Sequence, residues 1–348
     1  MKDFSKHYIS PTGNIQDALE QLNLLSENLT LFVVNRDNIL LGTVTDGDIR
    51  RGLLSGLSLN EDIQKVMFRN FRCITENNFS LNTLHKFKSE GIFLLPFVDV
   101  KGRILRIINL KEKRSALPLN AILMAGGKGE RLKPLTDNLP KPLLKVGDKP
   151  IIEHNIDRLS SYGIENIEIA IGYLGNQIES YFGNGESKQL NIKYIYEQEP
   201  LGTIGAIKKS TNNHHSNILL MNADLLTDIN FEDFYKVFKE TNADMIVASV
   251  PYKLKIPYGI LEVDSQYVTG LKEKPTYTYY SNAGIYLLKK ELLDLIPEHQ
   301  LFNATDLMEK IISLKMKLAY YSILGYWLDI GKPDDFIKAQ EDIKHIRL

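Results

Sequence analysis

Residues 123–144 read LMAGGKGERLKPLTDNLPKPLL and place three glycines among lysine and arginine residues, directly after a short apolar run. The apolar run predicts a buried strand, and the glycines mark the turn at its carboxyl end. Glycines let backbone N–H groups approach phosphate oxygens, and the lysine and arginine side chains supply positive charge. The positive end of a following helix would strengthen phosphate binding further. The pattern is neither a Walker A loop nor a complete G-x-G-x-x-G turn. It predicts a phosphate-binding turn of another kind.

Short apolar strands and helices alternate through the chain after this turn. Strands are predicted at 166–173, 192–198 and 217–224, with helices at 150–163, 176–183 and 203–210. This rhythm predicts an α/β fold, a Rossmann-like, doubly wound and mostly parallel sheet covered on both faces. Ligands of such sheets bind at the carboxyl ends of the strands. Both the glycine turn and the tripeptide Asn-Ala-Asp at 222–224 are expected there.

The first 115 residues contain an α+β unit of about 60 residues that occurs twice. A helix at 14–22, a strand at 30–35 and a strand with its turn at 39–53 are followed by the same order at 79–87, 92–99 and 102–112. A charged, proline-containing linker follows at 111–119. The sequence therefore predicts two domains, at residues 1–115 and 119–348.

The repeated unit resembles a CBS-domain pair. The resemblance implies that Gly42, Thr45 and Asp48 contact an adenine nucleotide, with Thr45 near phosphate and Asp48 on the ribose hydroxyls. The second copy has Asn109 and Glu112 at the equivalent positions, so at most one site is expected in the pair. Alternatively, Asp46 and Asp48 cap a helix that starts at Ile49, and the pair is structural or dimerising in a homo-oligomer, a dimer or higher.

Composition excludes several classes of partner. Lys+Arg (42) and Asp+Glu (43) nearly cancel, which favours a small anionic ligand over nucleic acid. Cys73 is the single cysteine, so a disulfide framework or a cysteine-based zinc site is not expected. No apolar segment reaches the roughly 18 residues needed to span a membrane. We expect a cytoplasmic protein that binds neither nucleic acid nor a membrane.

The glycine turn continues into Arg131, PLT (134–136) and PKP (140–142). The whole run resembles the signature of sugar-1-phosphate nucleotidyltransferases, whose fold is GT-A-like. The resemblance implies that a sugar 1-phosphate attacks the α-phosphorus of a nucleoside triphosphate, with Arg131 on the triphosphate and Lys141 near the reacting phosphates. It implies base and phosphate contacts from Leu123, Ala125, Gly126, Gly127, Lys128 and Gly129.

The same resemblance assigns metal and sugar contacts. Asp224 and Asp329 match the aspartates that bind Mg²⁺, and two suffice because water and phosphate oxygens complete its shell. Either aspartate could instead cap a helix or turn. A pocket for the sugar phosphate is expected from Glu273 and Lys274 of the EKP motif together with Gly259 and Asn282, although a charged hairpin rim is the alternative for that motif.

The base contact is expected from residues 195–206, where Gly202 marks a turn and Glu197 stands five residues before it. Relatives that use thymidine, uridine or adenosine triphosphates usually have glutamine there. A carboxylate can accept both N1–H and the 2-amino group of guanine, so Glu197 favours GTP. Gln198 is the next residue. If Gln198 and not Glu197 contacts the base, the enzyme is expected to be a thymidylyl- or uridylyltransferase.

The sequence leaves the sugar substrate open between mannose 1-phosphate, a manno-heptose 1-phosphate and glucosamine 1-phosphate, as used in surface-glycan or nonulosonic-acid pathways.

Two other classes of protein are alternatives to a nucleotidyltransferase. One is a CBS nucleotide sensor with a catalytically silent second domain, which the presence of both metal aspartates disfavours. The other is a dinucleotide-dependent oxidoreductase, which is disfavoured because PKP stands where the ribose-binding acidic residue is expected.

Overall fold

The computed structural model describes residues 4–25, 28–75, 79–197, 199, 201–211 and 214–346. Residue contacts divide the chain into two units, Met1–Pro118 with Ser160–Ile164, and Leu119–Leu159 with Glu165–Leu348. None of the helices within the described ranges is long and apolar enough to cross a membrane.

The first unit is α+β. Its elements are β1 (Tyr8–Ile9), α1 (Ile15–Asn23), β2 (Thr30–Val34), β3 (Leu40–Thr45), α2 (Asp46–Leu54), α3 (Leu81–Ser89), β4 (Leu94–Val98) and β5 (Ile104–Asn109). β1 pairs with β2 in parallel and β2 with β3 in antiparallel, while β4 and β5 form a separate antiparallel pair. The two copies of the repeat differ after their last strand, because α2 follows β3 directly whereas a turn follows β5.

Capping residues fix the start of α2. The Thr45 side chain accepts from the Asp48 backbone N–H, and the Asp48 carboxylate accepts from the Thr45 N–H at 2.8 Å. This capping box stabilises the first turn, so α2 begins at Asp46. The expected start at Ile49 is therefore wrong by three residues, although Asp48 does take part in the cap.

The second unit is built on a seven-stranded sheet. Its elements are β6 (Asn120–Ala125), β7 (Lys145–Val146), β8 (Lys149–Pro150), α4 (Ile151–Ser161), β9 (Asn166–Ile171), α5 (Gly175–Phe182), β10 (Asn191–Tyr196), β11 (Asn217–Asn222), β12 (Leu225–Thr227), α6 (Phe231–Thr241), β13 (Met245–Lys255), β14 (Ile260–Asp264), β15 (Tyr267–Lys272), β16 (Thr276–Lys289), α7 (Ala304–Ser313), β17 (Leu318–Ser322), β18 (Trp327–Asp329) and α8 (Pro333–Asp342).

The strand order of this sheet is β10-β9-β6-β11-β16-β13-β17. The first four strands run parallel, β16 is antiparallel to both of its neighbours, and β17 is parallel to β13. Strands β6, β9 and β11 are buried along nearly their whole length, as expected for parallel strands covered on both faces. The predicted α/β fold with a mostly parallel sheet is confirmed.

One predicted helix is absent as an α-helix, and the glycine turn is not followed directly by an α-helix either. The segment after the glycine turn is a short 3₁₀ turn (Glu130–Leu132), because Pro134 disfavours helix at the residue before it. Residues 203–210 contain a 3₁₀ helix (Gly205–Lys209). Here Ile204 N donates to Phe302 O at 3.1 Å and Phe302 N to Leu201 O at 2.8 Å, so bonds to a distant segment replace helical ones.

Three two-stranded sheets accompany the seven-stranded sheet of the second unit: β7 with β8, β12 with β18, and β14 with β15. β12 and β18 form an antiparallel ribbon. The outer parts of β13 and β16, together with the hairpin of β14 and β15, form a projection that we call the arm (residues 250–281). β17 pairs with β13 only as far as Ser249, and β11 with β16 only as far as Ile285. In the described structure the arm strands therefore pair only within the arm.

Candidate active site

A cavity of about 320 Å³ lies at the carboxyl ends of β6 and β11. It contains backbone from the glycine turn, two cations and two carboxylates, which are the kinds of group that a phosphate site with a metal requires. Its lining residues are Met124, Ala125, Gly127, Gly129, Glu130, Arg131, Lys141, Pro142, Asp224 and Gly331. The edge of the sheet is the one that the strand pattern predicted.

The ribbon of β12 and β18 brings two distant aspartates together. Asp224 directly precedes β12, and Asp329 is the last residue of β18, opposite Leu225. Ile330 N donates to Asp224 O at 3.1 Å, which ties the two strand ends to each other. Two residues 105 positions apart in sequence therefore approach the same cation, Lys141.

Lys141 is buried and lies between the two aspartates. Its Nζ donates to Asp224 Oδ2 and lies 3.9 Å from Asp329 Oδ1. Within the described residues, Asp224 Oδ1 and Asp329 Oδ1 are buried and accept no hydrogen bond. Burial raises the pKa of Asp329, and the Asp224 charge raises it further, while Lys141 and Arg131 oppose the rise. Two carboxylates thus lie close together at this site, with Lys141 between them and Arg131 offsetting part of their charge.

Arg131 packs over the backbone that follows β18. A Cβ added to Gly331 would lie 3.1 Å from Arg131 Nη2, so a larger residue there would have to displace the guanidinium by a few tenths of an ångström. Gly331 stands two residues after Asp329 in the run GYWLDIGKPDDF, and this closeness to Asp329 is the sequence signal that points to it. Met124, Glu130 and Pro142 also line the cavity without having been predicted.

Glu197 lies against the glycine turn. A Cβ on Gly126 would stand 2.7 Å from Glu197 Oε2, so the carboxylate occupies the space that a larger residue would fill. Glu197 N donates to Ile171 O at 2.9 Å, which continues the β9–β10 pairing. Burial raises the pKa of Glu197, and Lys209 opposes the rise. Gln198, the alternative base-reading residue, lies outside the described residues.

The structure places the other predicted nucleotide contacts unevenly. Ala125, Gly127 and Gly129 line the cavity. In the described structure Leu123, Gly126 and Lys128 are not among its lining residues; Leu123 is fully buried in the sheet, and the Lys128 side chain is exposed. Gly202 has a positive φ of 80° and packs against the Phe302 carbonyl, which a Cβ would approach to 2.7 Å.

The four predicted sugar-phosphate residues form two groups. Gly259 and Glu273 are neighbours on the arm, where a Cβ on Gly259 would lie 3.0 Å from Glu273 Oε2, and Lys274 follows. Asn282 instead lies on β16 near the body of the unit, and its Oδ1 accepts from Gly284 N at 2.9 Å.

Asn282 also lies near the ribbon of β12 and β18, since Trp327 Nε1 of β18 donates to Ala283 O at 2.9 Å. From Thr276, where β16 starts, to Asn282 the strand extends about 20 Å. Neither of the two cavities described here is lined by any of the four residues, so the single sugar-phosphate pocket stays a prediction.

A second cavity, of about 350 Å³, lies in the first unit. Its lining combines aromatic and apolar side chains with threonines, two arginines and one carboxylate: Thr30, Phe32, Thr43, Thr45, Asp48, Arg51, Phe68, Phe71, Arg72, Gly91, Ile92, Phe93 and Leu94. Two of the three residues implied by the CBS resemblance, Thr45 and Asp48, are therefore present.

The third of these residues, Gly42, packs elsewhere, because a Cβ at Gly42 would overlap the Met67 side chain. At the equivalent positions of the second copy, Asn109 Nδ2 donates to Glu112 Oε1 at 2.9 Å. That pair forms a local turn contact in place of a capped helix.

Comparisons with known proteins agree with this geometry. A family model described as nucleotidyl transferase matches residues 120–346, and a CBS-domain model matches residues 2–55. The chain is 32% identical over 230 residues to a D-glycero-alpha-D-manno-heptose 1-phosphate guanylyltransferase of Aneurinibacillus thermoaerophilus, covering 65% of this chain and 99% of that relative. It is 27% identical to a UTP–glucose-1-phosphate uridylyltransferase of Synechocystis sp., covering 66% of each.

Among solved structures, HddC from Yersinia pseudotuberculosis complexed with GMP-PN is similar in fold, with a TM-score of 0.51 and 24% identity over 65% of this chain and 99% of that one. The family match spans the sheet, both aspartates and the glycine turn. The chain therefore belongs to the nucleotidyl transferase family and is an enzyme of the sugar-1-phosphate nucleotidyltransferase class.

Proposed function

We propose that this nucleotidyltransferase uses GTP and produces a GDP-sugar. A phosphate oxygen of the sugar 1-phosphate forms a bond to the α-phosphorus of GTP, the bond from that phosphorus to the bridging oxygen breaks, and pyrophosphate leaves. The observation that carries the choice of GTP is the Glu197 carboxylate against Gly126, beside the phosphate cavity.

The cavity residues suit this reaction because nucleotidyl transfer depends on alignment and on neutralising charge. Arg131 and Lys141 supply two cations at the wall of the cavity. Gly127 has open space where a Cβ would stand, so a phosphate can approach its backbone closely. These groups would hold the triphosphate with its α-phosphorus exposed to the second substrate and would stabilise the leaving pyrophosphate.

Guanine recognition follows from the surroundings of Glu197. The half-buried carboxylate is deprived of water, which is why its pKa is raised. Such a group gains most from a ligand that donates two hydrogen bonds, and guanine presents N1–H and the 2-amino group side by side. Uracil and thymine present one donor between two acceptors and would leave one carboxylate oxygen facing an acceptor.

Mg²⁺ would be held by Asp224 and Asp329. Their two buried oxygens without hydrogen-bond donors match what a hard cation needs. No group of three metal-ligating side chains occurs in the part of the chain that the structure describes, so water and phosphate oxygens would complete the shell. When bound, Mg²⁺ would neutralise developing charge on the phosphates. Lys141 would then exchange its aspartate contact for a phosphate.

The sugar 1-phosphate is proposed to belong to the manno series. The 32% identical relative, which this chain covers almost completely, is named for a manno-heptose 1-phosphate. Glu273, Lys274 and Asn282 remain the proposed contacts, with Lys274 on the phosphate. Mannose 1-phosphate, which is also manno-configured, and glucosamine 1-phosphate, which is gluco-configured, are the other candidates to compare.

A substrate matrix tests the proposal. Purified protein is incubated with GTP, ATP, UTP or dTTP, each with manno-heptose, mannose, glucosamine or glucose 1-phosphate, and pyrophosphate release is followed. We expect release only with Mg²⁺ and fastest with GTP and a manno-configured sugar. Faster turnover with UTP or dTTP would overturn the guanine assignment, and equal turnover after chelation of divalent cations would overturn the metal assignment.

We also propose that the first unit is a CBS pair whose cavity binds an adenine nucleotide. Phe32, Phe68, Phe71 and Phe93 offer aromatic surfaces for a base, while Arg51 and Arg72 offer charge for phosphate. Asp48 Oδ1 accepts from Arg51 at 2.5 Å, and its other oxygen is in the capping box. Ribose hydroxyls would compete for this carboxylate.

Calorimetric titration with AMP and ATP tests that site, with the variant Thr45→Ala. The matched control is Asn14→Ala, which removes the equivalent capping box of α1 in the same unit. Each variant should lose about 1 kcal/mol of stability, but only Thr45→Ala should lose the nucleotide. Binding that survives Thr45→Ala, or that Asn14→Ala weakens as much, would argue against the assignment.

A further inference from the structure

Asp224 lies in a two-residue turn between β11 and β12, and other elements fix the backbone of that turn. Ala223 N donates to Met124 O, the penultimate residue of β6, at 3.1 Å. Asp224 O accepts from Ile330 N, the residue after β18, at 3.1 Å. One polar group of each residue in the turn is thus fixed by a neighbouring strand.

The side chain of Asn155 provides the remaining contacts. Asn155 lies on α4, and its Nδ2 donates to Leu225 O at 2.9 Å and to Ala223 O at 3.4 Å. These are the carbonyls of the two residues on either side of Asp224. One side chain from a distant helix therefore brackets the metal aspartate in the chain.

The burial of Asn155 shows that these bonds are needed. Its side chain is 1% exposed and lies on the face of α4 that also buries Ile151, Ile152 and Ile156. A buried amide is unfavourable unless its donors are satisfied, and an aliphatic residue would pack at this position without that cost. The two carbonyls satisfy the donors, so the amide and the turn hold each other in place.

We propose that Asn155 is a positioning residue of the transfer reaction: it fixes the direction in which the Asp224 carboxylate leaves the turn. Lys141 is the only side chain in the described part of the chain that hydrogen-bonds to that carboxylate. The carboxylate must point toward Asp329 for both to bind one cation, and the backbone decides this. The inference rests on the proposed function, in which Asp224 and Asp329 bind Mg²⁺.

Removing the amide should weaken cation binding more than it changes any other step. Groups that hold a metal-binding side chain in place typically contribute 10–100-fold in metal affinity or activity. For Asn155→Ala we expect the half-saturating Mg²⁺ concentration to rise ~10-fold, with turnover partly recovered at high Mg²⁺. Affinity for a non-hydrolysable GTP analogue without metal should stay unchanged, because Asn155 lies outside the nucleotide contacts.

The experiment measures Mg²⁺ dependence of pyrophosphate release, and binding of Mn²⁺ by electron paramagnetic resonance in the presence of the GTP analogue. Asn155→Ser, which keeps a shorter donor, is the second variant and should be intermediate. The matched control is Asn120→Ala. Asn120 is also fully buried and donates to a backbone carbonyl, His215 O at 3.2 Å, but it starts β6 at the end away from the cavity.

The outcomes separate the two claims. Unchanged Mg²⁺ and Mn²⁺ dependence in folded Asn155→Ala and Asn155→Ser would overturn the positioning role, as would an equal shift in Asn120→Ala. A wild-type protein that binds no Mn²⁺ with the analogue, or releases no pyrophosphate from GTP with any sugar 1-phosphate, would instead contradict the proposed function.

Discussion

The phosphate cavity and the arm belong to one unit and are built in opposite ways. In the cavity, Lys141 is buried between two aspartates that a strand ribbon holds together. On the arm, Tyr258 is 73% exposed and Tyr267 79% exposed, and the strands pair only within the arm in the described structure. The nucleotide side of the proposed site is thus preformed, whereas the sugar-phosphate side is on a projection with little packing.

This contrast has a physical meaning for substrate binding. A two-stranded ribbon is marginally stable without a packed face, and weakly packed regions open more readily than cores. Substitutions in the cavity should therefore impair the reaction itself, while substitutions on the arm should affect one substrate only. Three predictions test this division, in decreasing order of expected effect.

The largest effect is expected from Asp224→Asn and Asp329→Asn. Each removes one charge from the proposed metal site without changing the side-chain shape, and several kcal/mol of charge stabilisation correspond to a fall in kcat of ~10³-fold. Because burial raises the pKa of Asp329, ionisation of this group opposes folding. The thermal midpoint of Asp329→Asn should therefore stay constant or rise, as measured by calorimetry. Full Mg²⁺-dependent turnover in either variant would refute the metal assignment.

A smaller and more selective effect is expected from Lys274→Ala on the arm. Loss of a charge-assisted hydrogen bond to the sugar phosphate should raise its KM ~10–100-fold and leave the KM for GTP within about twofold. Steady-state kinetics with each substrate varied in turn measures this split.

The arm offers its own control for this prediction, Lys272→Ala. Lys272 is exposed two residues away and pairs with Glu262 across the β14–β15 hairpin. That substitution should change neither KM. If the KM for GTP rises together with that for the sugar phosphate, the arm and the cavity are not the separate regions described here.

The sequence predicted those features that depend on local patterns. Alternating apolar strands and helices placed β6, β9, β10 and β11, and the buried strand before each turn placed the glycines and Asp224 at one edge of the sheet. The signature run identified Arg131 and Lys141, which line the cavity.

Features that depend on distant contacts could not be predicted in the same way. The segment 201–204 hydrogen-bonds to residues 302–304 and does not continue as an α-helix, and no local periodicity carries that information. The pairing of β12 with β18 joins residues about 100 positions apart. Asn155 looked like an ordinary helix residue, because only the folded turn shows which carbonyls it reaches.

The smallest effect is expected at the base. With Glu197→Gln, the ratio of kcat/KM for GTP to that for UTP should fall ~10-fold, since one charge-assisted acceptor becomes a donor. The wild-type ratio should also depend on pH. Burial raises the pKa of Glu197, so as pH falls the carboxylate takes up a proton at a higher pH than an ordinary glutamate and loses an acceptor for guanine. The GTP preference should therefore decline on acidification, beginning at a higher pH than an ordinary glutamate would give.

The glutamine variant has no titrating group at position 197, so its ratio should be flat over the same pH range. Glu199→Gln serves as the control, because Glu199 is an exposed carboxylate two residues away. It should retain both the wild-type ratio and its pH dependence. A wild-type ratio that does not change with pH, or one that Glu199→Gln flattens equally, would show that the base is read by a group other than Glu197. The cavity would then be preformed for the phosphates but not for the base.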